Sequence, residues 1–140
     1  MHWASTHLFD QTFDETLALL EETRHHVDMV AHGGLDSVPQ DQMLRTVRDL
    51  SYLTSQVTGM MSLLMLYRSA ANGELDDSGF QACVSTLGQE LEQTGQTLVQ
   101  DCLTSGGDHL PPTLLTLVER GDRLRHRIYS LQGMEQAIHS

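Results

Sequence analysis

The stretch Val57–Tyr67, VTGMMSLLMLY, carries eight large apolar residues in eleven and no charge before Arg68. Outward from it, Met43, Val47, Leu50, Thr54, Val57, Met61 and Leu64 recur at a four-three spacing. Leu53, Met60, Leu63 and Tyr67 add a second stripe. A helix apolar on two faces must be covered on two faces, so this is the element on which the rest of the chain is expected to pack. Ser37-Val38-Pro39-Gln40 has the form of a capping box with proline in the first turn, where its missing N–H costs nothing. Asn72-Gly73 stops the helix after about Ala71. The expected helix has roughly 33 residues and is about 50 Å long, the longest of the fold.

Three further helices follow from the same periodicity. The first is expected from Ser5 or Thr6 to His32, with Phe9, Phe13, Leu17, Leu20, Val27 and Val30 as its inner stripe and Gly33-Gly34 as its stop. Thr12 with Glu15 offers a later start, but Phe9 fits the stripe and is kept inside. A third helix opens at a Ser78/Gln81 capping box and reaches about Leu103, with Phe80, Val84, Leu87, Leu91, Thr94, Leu98 and Cys102 inward. After the loop Ser105–Asp108, Leu110-Pro111-Pro112 sets up a fourth. Its inner face is Leu114, Leu117, Val118, Gly121, Leu124, Ile128 and Leu131, its stop Gly133, and Gly121 is expected to admit a neighbouring backbone. The fold class is therefore all-α: one domain, residues 1–140, built as an antiparallel bundle of three to four helices with one long central helix.

Composition excludes several functions. The formal net charge is −11, and all eight basic residues are arginines. Such a chain is repelled by phosphate backbones and anionic lipids, so neither nucleic acid nor a membrane surface is an expected partner. The central apolar run is shorter than the roughly 20 residues a membrane span needs. The N-terminus lacks a basic segment followed by an apolar core, so no signal peptide is expected and the location is cytoplasmic. Cys83 and Cys102 would lie roughly 100° and 28 Å apart on one helix, which fits two free buried thiols and no disulfide.

Eight histidines invite a metal or acid–base reading. Glu22-x-x-His25 matches one element of a di-iron bundle, but those sites need two such elements and two more inward glutamates. His25 and His26 are expected on the solvated face of the first helix. His32 is a poor phosphotransfer candidate, because it falls at a helix end and no lysine exists to steady a phosphoryl group. With no nucleophile–base–acid set, phosphate loop or Cys/His cluster, no catalytic residue, cofactor or metal is expected.

Surfaces are the better candidates. Arg120, Arg123, Arg125 and Arg127 gather half the positive charge on the fourth helix. They read either as a solvated face paired with Glu119, Asp122 and the acidic faces of the first two helices, or as a docking patch for an acidic partner. Met60, Met61 and Met65 read as core, with one apolar face of the central helix available to a second chain. The candidate partner or dimer interface is Met60, Leu63, Tyr67, Arg120, Arg123 and Arg127.

Three segments, in order, resemble a known family. Leu50-Ser51-Tyr52-Leu53-Thr54-Ser55-Gln56-Val57, continuing through Met60-Met61 to Arg68-Ser69-Ala70-Ala71-Asn72-Gly73-Glu74, resembles the central helix of the RcdA family. Those proteins are the alphaproteobacterial regulators of CtrA degradation. Phe9–Glu15 with Leu17–Glu22 is similar to that family's first helix, and Leu110-Pro111 with Leu114, Leu117, Val118, Arg123, Leu124, Arg127, Ile128 and Leu131 to its last. The resemblance implies a non-enzymatic, homodimeric helical adaptor for the ATP-dependent protease ClpXP. It would join a protease primed by the response-regulator-like protein CpdR and tether cargo regulators there in the cell cycle. Residues 76–108 depart from the family, reading as a fuller helix. The short segment after the fourth helix departs as well, since the family delivers cargo with a C-terminal tail. The alternative is a homodimeric helical scaffold with no part in proteolysis.

Overall fold

The computed structural model describes residues 6–33, 37–104 and 111–139. Among these every element is helical: α1 (His7–Ala31), α2 (Gln40–Ala71), α3 (Asp77–Val99), continued by a π-helical turn (Gln100–Thr104), and α4 (Pro112–His139). The protein is thus an all-α bundle of four helices. Cross-helix contacts give the directions. Arg68 meets Asp10 and Arg48 meets Asp101, so α2 runs against both α1 and α3. Arg127 reaches Glu15 and Arg125 reaches Glu92, so α4 runs against α1 and α3 and along α2. This is an up-down-up-down bundle whose α2–α4 diagonal is closed, because Gly121 of α4 stands against Leu53 of α2.

The helix ends follow local chemistry. Thr6 caps α1 by accepting a hydrogen bond from the Phe9 N–H at 3.2 Å, so the later Thr12 start is not used. Gly33 takes φ +87 after the last turn, and Gly34 lies outside the described residues. α2 ends in a Schellman motif: Glu74 N–H donates to Ser69 O at 2.9 Å, and Gly73 N–H to Ala70 O at 3.1 Å. Gly73 has φ +77 there, where a Cβ would be strained.

Some expected ends are corrected. Pro39, not Ser37, occupies the cap of α2 and offers no side-chain acceptor, so the Ser37 box does not form. Asp76, two residues before the expected Ser78 cap, caps α3 by accepting from Gly79 N–H at 2.7 Å. A carboxylate accepts this bond more strongly than a hydroxyl does. α4 continues through Gly133 to His139, since an isolated glycine costs a helix only about 1 kcal/mol. The Ser105–Asp108 loop lies outside the described residues.

One apolar cluster joins the four helices. α2 buries Leu53, Val57, Met60, Leu63 and Leu64, while α3 adds Leu91 and Leu98 and α4 buries its whole expected inner face. Gly121 admits the side chains of Leu53 and Leu19, not a neighbouring backbone. α1 differs from its expected stripe. Its buried residues are Phe9, Thr12, Thr16, Leu19 and Thr23, while Leu17 and Val27 are 39% and 38% exposed. Val47 of α2 is likewise exposed.

Candidate interaction surface

The six residues expected to form an interface do not form one patch. Met60, Leu63 and Tyr67 are 0%, 0% and 6% exposed inside the bundle. The second apolar face of α2 is thus covered by the chain's own helices, and these three are corrected from interface to core. Tyr67 meets Phe80 of α3 edge-on at 5.1 Å between ring centroids. Met61 is also buried, whereas Met65 is 56% exposed and does not belong to the core.

The α4 arginines act mainly between helices. Arg120 pairs with Glu22 and Arg127 with Glu15, forming two clamps one above the other along the α1–α4 seam. Arg123 is exposed and pairs with no acidic group among the described residues. Arg125 is 3% exposed, with Glu92 and Asp122 each at 2.7 Å. Burial alone would lower its pKa, but the two carboxylates outweigh that and raise it. Its guanidinium lies against Gly95, where a Cβ would stand 2.5 Å from Arg125 Nε. A wider residue at position 95 would push the cation out of place. Gly95 therefore makes this buried pair possible.

Another arginine joins α1 to the end of α2. Arg68 donates to Asp10 at 2.9 Å, and its guanidinium carbon lies 5.1 Å and 4.7 Å from the ring centroids of Phe9 and Phe13. Two sequence pieces about sixty residues apart, Phe9–Glu15 and Arg68–Glu74, are thereby held together.

Both thiols were expected to be buried, and Cys83 is corrected because it faces outward from α3. Cys102 is buried near Asp49. Its pKa is pushed up to about 12, first by burial and then by the Asp49 carboxylate, so it stays a neutral thiol at physiological pH. His25 is exposed, and His26 half-buried. Glu22, the carboxylate beside them, is engaged by Arg120. His32 stands at the C-cap of α1, where its Nδ1 lies 2.6 Å from Asp28 O. Among the described residues, no three His, Cys, Asp or Glu side chains gather as a metal site would require.

Some large apolar residues reach solvent along the grooves between helices. Leu17, Leu20 and Val27 border a groove of about 400 Å³ beside Thr54, between α1 and α2. A trough of about 630 Å³ runs between α2 and α3, walled by Met65, Leu66, Cys83 and Leu87. A third groove, about 620 Å³, follows the α1–α4 seam beside Arg120 and is more polar. Sequence periodicity had marked Leu17 and Val27 as apolar stripe residues, but could not show that this stripe faces outward. For Met65 a signal existed, since it falls on neither α2 stripe.

None of the described helices is long and apolar enough to cross a membrane. A family model described as "Protein of unknown function (DUF1465)" matches residues 1–138. No curated protein and no solved structure shows a significant match.

Proposed function

The chain belongs to the DUF1465 family of proteins of unknown function, and from its own residues we propose that it is a non-enzymatic adaptor of regulated proteolysis, similar to RcdA. It tethers cargo regulators to ClpXP in the cytoplasm, together with the protease's priming factor. The observation that carries the reading is that the resembling segments form one connected unit. Phe9, Asp10 and Phe13 of the first segment grip Arg68, which opens the Arg68–Glu74 end of the second. The third supplies the buried face of α4. An adaptor needs surfaces instead of a reactive pocket, and outward apolar residues between charged ridges supply such surfaces.

The flank formed by Leu17, Leu20 and Val27 also supports a homodimer, and so favours a second reading as a dimeric scaffold. Affinity capture with the tagged full chain from its native host separates the two. The adaptor reading expects recovery of a protease subunit or priming factor, and faster turnover of a recovered regulator when purified chain is added to the protease. Recovery of no protease component, priming factor or regulator refutes it. A chain that only self-associates is the scaffold.

A further inference from the structure

Along Asp77–Val99, helix α3 carries Asp77, Glu90 and Glu92 and no arginine, lysine or histidine. The facing stretch of α2, residues 59–67, has no charged side chain. Arg68, next in sequence, is held on the α1 side by Asp10, Phe9 and Phe13. Glu92 turns to Arg125 of α4, so the trough between these two walls is apolar with one carboxylate, Glu90, at its rim, and among the described residues no cation lines it. Gly59 closes one end, because Leu91 Cδ2 occupies the space 2.6 Å from where a Cβ would stand. Beyond that point the helices present Met65, Leu66 and Leu87 with the small residues Ala82 and Cys83 between them, and Glu90 at the edge. The walls are Ser62–Ser69 and Ala82–Glu90, about two helical turns or 12 Å, the length over which a docked helix sets down its i, i+3 and i+7 side chains.

We infer that the α2–α3 trough is the docking site for a basic amphipathic helix of a partner protein. The apolar face of that helix lies on Met65, Leu66 and Leu87, and one of its lysines or arginines meets Glu90. Methionine suits this role because its unbranched side chain adjusts to different occupants. Charge decides between occupants. A second copy packed trough to trough brings its own Glu90 and no cation to meet it, whereas a basic helix supplies one. The inference stands apart from the proteolysis reading, because it concerns a surface and a partner chemistry and needs neither protease nor cargo.

A fluorescein-labelled synthetic helix of about five turns, leucine on one face and lysine on the other, tests it against the full-length chain by anisotropy at physiological salt. Saturable binding is expected, with none for the same pattern carrying glutamate in place of lysine. Ala82→Arg, at an exposed position, should weaken binding at least about tenfold, as loss of one hot spot does. Leu17→Arg adds the same charge on the α1–α2 flank and should change binding less than about twofold. In the native chain, the peptide should slow maleimide modification of exposed Cys83 several-fold while buried Cys102 stays unmodified. This second readout needs no variant. Equal weakening by both arginine variants, equal binding of the glutamate peptide, an unprotected Cys83, or no binding would each overturn the proposal. So would a free chain that is already a dimer with Cys83 shielded, because the trough would then belong to a second copy.

Discussion

Helices α1 and α4 run against each other on the same central helix, yet they meet the core in different ways. α4 buries Leu114, Leu117, Val118, Leu124, Ile128 and Leu131, the residues that helical spacing marks as apolar. α1 buries Phe9 and Leu19 with three threonines, and leaves Leu17 and Val27 at the surface. Thr16 and Thr23 return their hydroxyls to the carbonyls of Thr12 and Leu19, at 2.8 and 2.7 Å. A threonine satisfied within its own helix presents mainly its methyl to a neighbour, so it can stand in a core position at low cost. Hydrophobic periodicity therefore finds the buried face where it is the only apolar face. Where a helix has an apolar flank beside a threonine face, packing decides.

The largest test of that comparison is on α1 itself. Leu19→Ala should cost about 3 kcal/mol in urea unfolding, as should Leu124→Ala on α4, whereas Leu17→Ala should cost under about 1 kcal/mol. Equal losses at positions 17 and 19 would mean that the leucine flank is buried after all, for instance in a dimer.

Next is Arg125, the one buried charged residue of α4 among the described residues. Gly95→Ala should destabilise by about 2 kcal/mol even though alanine favours a helix by about 1 kcal/mol, because the new methyl displaces Arg125 from Glu92 and Asp122. A gain in stability would show that Arg125 can swing out freely.

Thr12→Val should do the reverse and stabilise by about 1 kcal/mol. The buried Thr12 hydroxyl has no hydrogen-bond partner among the described residues, and valine keeps the shape without it. A loss would reveal a partner for that hydroxyl.

The smallest effect belongs to the seam itself. Arg120→Ala and Arg127→Ala should each cost no more than about 1 kcal/mol, additively, and less in high salt, since both pairs are partly solvated. A strongly non-additive double variant would make the two clamps one cooperative unit.

The candidate surface was less legible than the fold. Met60, Leu63 and Tyr67 form a second apolar face in sequence, but the four-helix bundle covers that face itself. For Arg120 and Arg127 the sequence leaves open both a pairing with the acidic faces of the first two helices and a docking patch. Their partners are Glu22 and Glu15, about a hundred residues earlier, and no local pattern predicts that pairing. The α2–α3 trough depends on Arg68 being held by α1, another contact across some sixty residues.

By itself the sequence determined an all-α bundle, the stops at Gly33 and Gly73, the proline start of α4 and the inner face of α4. These rest on backbone geometry and on spacing within one helix, which are local properties. Only the tertiary structure decided which side of α1 is buried, that Gly95 makes room for Arg125, and which apolar residues stay in water. Each of those depends on how close another helix comes, and that distance is set by the packing of side chains far apart in the chain.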